Sequence, residues 1–343
     1  MDFKLMAQEN LVLKIRVGSH LFGTSTPDSD EDYTGIFMPC DETIYGFQTC
    51  NEVDLGVVDK DDTGRNTKDA IDFKVHDYRK FMKLAIENNP NILNAMFVNR
   101  ENILFADKDG FAERMLAVKA RIVHKGAYER FIKYADAQKH KMRIKPQNYA
   151  ALENGLGFLE DVMGNSRVMA EAAHHAYQLS GPDSPFKDGG EGKHIRCGDL
   201  SFERGVFVKK AKKMIRERLS RATNRHVLYT KYGYDTKFGS NLIHMLKSGK
   251  ELMETGKLEF PLSYAQDIID VKNGKYTVEE IDKWSDDLLE EARQAYEKTD
   301  VRAVPEKGIE KFVMKEIYRW SQLNTKLSRS RLRLWQSGVN DGV

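Results

Sequence analysis

Residues 11–17, LVLKIRV, mix β-branched and apolar side chains in a near-alternating order and predict a strand that stops at Gly18-Ser19. DYTGIFMP, residues 32–39, predicts a second strand, and AIDFKV, residues 70–75, a third. The polar stretch 51–69 between them predicts a loop. In DYRKFMKLAIENNPN the apolar residues Tyr78, Phe81, Met82, Ala85 and Ile86 recur at helical spacing. Asp77 stands where an N-cap belongs, and Pro90 marks the end or a break of that helix. Beyond about residue 105 the pattern turns helical, over 111–143, 146–178, 205–222, 236–256, 277–298 and 306–334. The Gly/Pro/Asp-rich segment 181–199 predicts a mobile loop. The chain therefore divides into a small unit of strands and helices, residues 1–105, and a larger helical region, 106–343, with no internal repeat.

At 343 residues and 41% hydrophobic composition, two ordinary domains with packed cores are possible. A net charge of +2 excludes a uniformly basic nucleic-acid coat but not a local basic face. Three cysteines, Cys40, Cys50 and Cys197, without paired spacing argue against a disulfide scaffold and for a reducing compartment. No run approaches the roughly 18 apolar residues of a membrane span. The N-terminus shows no signal-peptide pattern, so a soluble cytoplasmic protein is expected.

The chemistry concentrates in RVGSHLFGTSTPDSDEDYTG, residues 16–35. Asp28, Asp30 and Asp32 fit the first three ligand positions of a calcium loop, but Tyr33 stands where its glycine belongs and Pro39 where its bidentate glutamate belongs. An Asp-rich surface turn is the plainer alternative. Asp30 and Asp32, at i and i+2 of a strand, share a face about 6–7 Å apart. Two such carboxylates repel unless a cation sits with them. Asp72, between Ile71 and Phe73, is a lone carboxylate in a third strand, costly unless paired or metal-bound. If the strands neighbour each other, three hard oxygen ligands converge, which suits Mg²⁺ completed by substrate phosphates. Gly18-Ser19 then offers a backbone without a Cβ, N–H groups and a hydroxyl to an anion.

Gly18-Ser19, Asp30-Glu31-Asp32 and Asp72 together resemble the DNA polymerase β-like nucleotidyltransferase superfamily. The longer string GSHLFGTSTPDSDEDYTGIFMP is similar to the predicted nucleotidyltransferases of bacteria and phages, including RNA-ligase-associated polymerases. Residues 72–93, 128–142 and 232–260 resemble the same group, whereas about 143–230 matches much less. The resemblance implies an α+β fold. A small catalytic domain with a mixed sheet, 1–105, would precede an all-helical domain, 106–343, that completes the nucleotide and acceptor cleft. It implies transfer of a nucleoside monophosphate from an NTP such as ATP to a hydroxyl, with release of pyrophosphate. Asp30 and Asp32 would hold two Mg²⁺ (or Mn²⁺) ions, and Asp72 the catalytic one. The third acid is assigned to Asp72 over Asp77, which has a capping role to hand. Members commonly carry a glutamate after the Asn-Pro-x-x-Leu run, where this chain has Asn94.

Tyr234, Lys237, Asn241 and His244 share one helical face by spacing. Lys237 is a candidate triphosphate ligand, as the resemblance also implies, with Tyr234 beside it; a solvated lysine is the alternative. His244 reads as a solvated residue on a polar face that runs to Ser248. The most basic segment, 209–225, offers Lys209, Lys213 and Arg216 to a nucleic-acid backbone, although such a run is commonly a solvated face. An RNA or tRNA 3′ end is the first acceptor expected, ahead of a protein hydroxyl and a small molecule. The rival class is a binding protein whose acids only hold a metal or cap turns.

Overall fold

The computed structural model describes residues 2–27, 29–59, 70–161, 164–190, 192–220, 228–229 and 231–338. Asp28 and residues 221–225 of the basic segment lie outside the described residues. The fold is α+β, with a mixed five-stranded sheet in the N-terminal part and a predominantly helical remainder. It divides into two compact units. The first comprises Met1–Tyr134, Met245–Asp267 and Asp287–Val343, the second Ala135–His244 and Ile268–Asp286.

In the first unit, α1 (Phe3–Glu9) starts at Asp2, whose side chain accepts from the backbone N–H groups of Lys4 and Leu5. It leads into β1 (Leu11–Arg16), α2 (Gly18–Phe22) and β2 (Glu31–Phe37). After α3 (Asp41–Ile44) come β3 (Glu52–Asp54) and β4 (Ile71–Asp77), and β5 (Ile103–Ala106) closes the sheet. The strand order is β3-β4-β2-β1-β5. β2 and β4 run parallel, and the other pairs are antiparallel. A parallel pair needs a long crossover, here residues 38–70. β3 falls inside the segment that the sequence predicts as a loop. Three residues, of which only Val53 is buried, give too short a pattern to read.

One sheet face packs under α1, with Met6, Ala7, Phe37, Val53 and Val75 in a common apolar cluster. Gly35 lies on this face, where a Cβ would stand 2.9 Å from the Phe73 ring and 3.1 Å from Leu11. Against the other face runs α4 (Tyr78–Ile86), whose Phe81 ring lies 6.3 Å from that of His76. Asp77 is its N-cap, accepting from the N–H groups of Arg79 and Lys80. Pro90 begins a further helix, α5 (Pro90–Met96), capped by the Asn89 side chain. A proline at the first helical position loses no hydrogen bond, so the break predicted there is a restart.

The expected helix 111–143 is three helices, α6 (Phe111–Ala117), α7 (Lys119–Ile122) and α8 (Gly126–Asp161). α9 (Met169–Ser180) follows. Segment 181–199, expected as a loop, carries β6 (Phe186–Gly189) and β7 (His194–Cys197), which form a three-stranded antiparallel sheet with β8 (Leu200–Glu203). The region after residue 105 is thus not all-helical. Phe186, Ile195, Cys197 and Phe202 turn inward to one apolar cluster of the second unit with Leu152, Met169 and Val208. Burial pushes the Cys197 thiol up to about 12, and its Sγ donates to the Ala151 carbonyl at 3.2 Å.

α10 (Val208–Ser220), α11 (Thr236–Thr255), α12 (Ala265–Lys272), α13 (Val278–Lys298) and α14 (Ile309–Gly338) complete the chain. Two residues of the polar face expected on α11, His244 and Ser248, are instead buried. His244 is 4% exposed, and burial pushes its imidazole down to about 4. Ser248 is buried with its hydroxyl 2.7 Å from that of Tyr264. Glycines explain part of this, because Gly249 lies where a Cβ would be 3.0 Å from Phe131. None of the three cysteines is in a disulfide. Among the described residues no helix is long and apolar enough to cross a membrane.

Candidate active site

β1 ends at Arg16, and after Val17 the chain turns at Gly18 with φ +64°, a left-handed conformation that favours glycine. Val17 donates its N–H to the Asp32 carbonyl at 2.9 Å, which ties the turn to the start of β2. The short α2 then closes on Gly23, and Thr24 donates back to the Ser19 carbonyl at 2.9 Å. A Cβ on Gly23 would stand 2.8 Å from Pro261, and Leu262 donates to the Phe22 carbonyl at 3.1 Å. The Gly-Ser turn is therefore braced from both ends.

A Cβ on Gly18 would stand 2.3 Å from Oδ2 of Asp32. The carboxylate lies directly over the glycine backbone, in space no other residue type leaves open. Asp32 is also the register partner of Asp72 across the parallel β2–β4 pair. Neighbouring strands are about 4.8 Å apart, so the two carboxylates project side by side from one face. Glu31, between Asp30 and Asp32, is turned to the opposite face. The Tyr33 hydroxyl donates to it at 2.6 Å and Arg16 at 3.3 Å. The tyrosine hydrogen bond holds its carboxyl below the usual range against some desolvation, with Arg16 adding to the effect.

Asp32, Asp72 and Gly18 line one cavity of about 390 Å³. β4 adds Lys74 and His76 by the same alternation that places Asp72 there, β2 adds Thr34 and β3 adds Glu52. Asn89, Asn91 and Ile92 at the start of α5 form part of the opposite wall. Nδ1 of His76 lies 3.2 Å from Oε2 of Glu52. Burial pushes the His76 imidazole below its ordinary value, against the pull of Glu52. Asp30 is half-buried just before β2 and outside this lining. Asp77 is buried in its capping role, and the Arg79 guanidinium holds it at 2.8 Å. Asn94 is buried in α5, with no hydrogen-bond partner for its Oδ1 among the described residues.

Among the described residues no three His, Cys, Asp or Glu side chains are gathered into a ready metal cage. The donor chemistry still fits Mg²⁺, which takes one or two carboxylates and fills its shell with water and phosphate oxygens. Asp32 and Asp72 supply such a pair.

Residues 2–156 match the RlaP family, described as the RNA repair pathway DNA polymerase beta family. A protein of Enterobacteria phage T4, described as an uncharacterized 38.9 kDa protein in the nrdC-mobD intergenic region, is 25% identical over 307 residues. The alignment covers 83% of this chain and 89% of that protein. No solved structure matches. Similarity to a polymerase β-like family points to nucleotidyltransferase activity. The matched segment contains every lining residue of the cavity described above.

The remaining candidates lie in the second unit. Lys237 is exposed in the first turn of α11, after Asp235, whose side chain accepts from the Lys237 N–H at 3.1 Å. Tyr234 is 1% exposed, and its hydroxyl donates to the Tyr276 carbonyl at 3.0 Å. Lys209 and Lys213 are exposed on α10, Lys213 within 3.8 Å of Glu217, while Arg216 is paired with Glu160. The sequence reading missed Thr34, Glu52, Lys74, His76, Asn89 and Asn91. The alternation Asp72-x-Lys74-x-His76 was the available signal for two of them.

Proposed function

We infer that the protein is a Mg²⁺-dependent nucleotidyltransferase that moves a nucleoside monophosphate from an NTP to a hydroxyl, with an RNA 3′ end as acceptor. The observation that carries this reading is the register pairing of Asp32 with Asp72 beside the Cβ-free backbone of Gly18. Asp32 and Asp72, joined by Asp30, would hold the metal ions. Bound there, Mg²⁺ or Mn²⁺ would neutralise charge on the phosphoryl group in flight. The acceptor hydroxyl oxygen forms a bond to the α-phosphorus as the bond to pyrophosphate breaks. Asp72 takes the hydroxyl proton, and pyrophosphate leaves with its own charge. Gly18 lets phosphate oxygens approach the backbone, and Ser19 offers a hydroxyl. Most of the acceleration comes from positioning and charge complementarity. Lys237 is a further proposed nucleotide ligand, on the strength of resemblance. Tyr234 would support the start of its helix.

RNA is favoured as acceptor by the family's description and by the exposed lysines of α10. The test incubates purified protein with each NTP, radiolabelled at the α-phosphate, with Mg²⁺ or Mn²⁺ and with tRNA, an oligoribonucleotide or no acceptor. Label on RNA that is lost in Asp32→Ala supports the reading. Label on the protein itself moves it to protein nucleotidylation. No Asp32-dependent label on any acceptor overturns it.

A further inference from the structure

The cavity that holds Asp32 and Asp72 has an end the two carboxylates do not explain. β4 places Asp72, Lys74 and His76 at alternate positions, so all three project from one face. All three line the same cavity. Among the described residues Lys74 is the only lysine or arginine of that lining. It is exposed, and among the described residues it makes no ion pair. Arginines close by are compensated: Arg16 rests on Glu31 and Arg79 on Asp77. An uncommitted ammonium two residues from a carboxylate pair has no evident role in stability, because an exposed lysine in a strand adds little to packing.

Charge decides what Lys74 could meet. The lining carries three acids, Asp32, Asp72 and Glu52, and Glu52 faces His76. Among the charged side chains of the described lining, the three carboxylates repel a polyanionic ligand and Lys74 attracts one. A compact ammonium on a flexible stem is suited to hold a phosphate as a point charge.

We propose that Lys74 is the phosphate-binding residue of this cavity and holds a non-bridging oxygen of a substrate phosphate. This rests on the nucleotidyl-transfer reading and extends it to the residue that counters substrate charge on the β4 side. The phosphate comes either from the triphosphate of the NTP or from the backbone of the acceptor. Thr34, the register partner of Lys74 on β2, adds a hydroxyl beside it.

The test is calorimetric titration of inorganic tripolyphosphate, with Mg²⁺, into the wild-type full chain and into Lys74→Ala, Lys74→Arg and Lys74→Gln. Thermal melts show that each variant is folded, as an exposed strand position allows. A parallel arm titrates a short oligoribonucleotide carrying no triphosphate. Loss of one charge-assisted hydrogen bond predicts binding about tenfold weaker or more in Lys74→Ala and Lys74→Gln, with much of it restored by Lys74→Arg. Weakening confined to tripolyphosphate assigns the phosphate to the NTP; weakening confined to the oligonucleotide assigns it to the acceptor. The proposal is overturned if wild type and Lys74→Ala bind both probes alike, or if wild type binds neither. Lys74-dependent binding without nucleotidyl transfer would sink the transfer reading and leave the phosphate site standing.

Discussion

The carboxylate of Asp32 occupies the space in which any side chain on Gly18 would have to stand, 2.3 Å from the nearest possible Cβ. The two residues belong to different elements, and each limits what the other can be. Gly18→Ala is expected to push Asp32 aside and to force a left-handed φ on alanine. Transfer should fall by about tenfold or more, with roughly 1–2 kcal/mol of stability lost. Activity assays and urea melts of the same preparation check both. Full activity in Gly18→Ala would mean that Asp32 need not sit where it does.

Asp32→Ala and Asp72→Ala should each lower nucleotidyl transfer by about a hundredfold or more while the protein stays folded. The same variants report on the metal without any turnover. Millimolar Mg²⁺ should raise the melting temperature of the wild type, since a ligand that binds only the folded state stabilises it. That shift should vanish in Asp32→Ala. An equal Mg²⁺ shift in both proteins would place the ion elsewhere.

His244 supplies a pH prediction away from the site. Its folded pKa, about 4, lies below the ordinary 6.5 because burial disfavours the charged form. The unfolded chain therefore binds a proton first as pH falls. Stability from this residue is full above about pH 6.5 and is lost as pH drops toward 4, by up to about 3 kcal/mol. Urea midpoints measured from pH 7.5 to 4.5 should fall more steeply in the wild type than in His244→Gln. Parallel curves would contradict the assignment.

The Glu316 side chain is 1% exposed and accepts a hydrogen bond from Arg114 Nε at 2.8 Å, with Arg114 Nη2 2.7 Å from the same oxygen and Arg319 on the other. Glu316→Ala leaves these arginines without their counter-charge and should cost about 3 kcal/mol. Removing both partners, as Arg114→Met with Glu316→Leu, should cost less than the single change. Denaturant titration of the single and double variants decides.

On α10, Lys209 and Lys213 project to solvent, while Arg216 is tied to Glu160. Lys209→Ala with Lys213→Ala should weaken RNA binding and flatten its dependence on salt by about two units of slope. Arg216→Ala should change RNA affinity less. Salt titrations of RNA binding by fluorescence anisotropy compare the three. Equal loss from all would show that the Glu160 pair opens on binding.

Much of the first unit was legible because β1, β2 and β4 each carry a run of β-branched and apolar residues long enough to show a period. Asp72 could be found as a lone acid in such a run. Its pairing with Asp32 could not, since the register of two strands far apart in sequence is fixed by how their buried faces pack, which no local pattern encodes. Glu52 was hidden because β3 has only three residues. β6 to β8 were hidden by the glycines at their turns, which read as loop although Ile195 and Cys197 alternate inward. His244 shows the limit of helical periodicity. Spacing puts it on one face with Lys237, and only packing decides that one is buried and the other is not.

The pairing of β2 with β4 is made by backbone hydrogen bonds, from Glu31 opposite Ile71 to Phe37 opposite Asp77. None of those bonds asks for a carboxylate at Asp32 or Asp72. The scaffold and the chemistry are thus separately mutable. A descendant with asparagines at both positions would keep its strands, its turn and its melting behaviour in the absence of Mg²⁺, and would be recognised by shape as an intact member of its line. Inheritance of the fold and inheritance of the activity are carried by different atoms, and selection can drop or restore the second without disturbing the first.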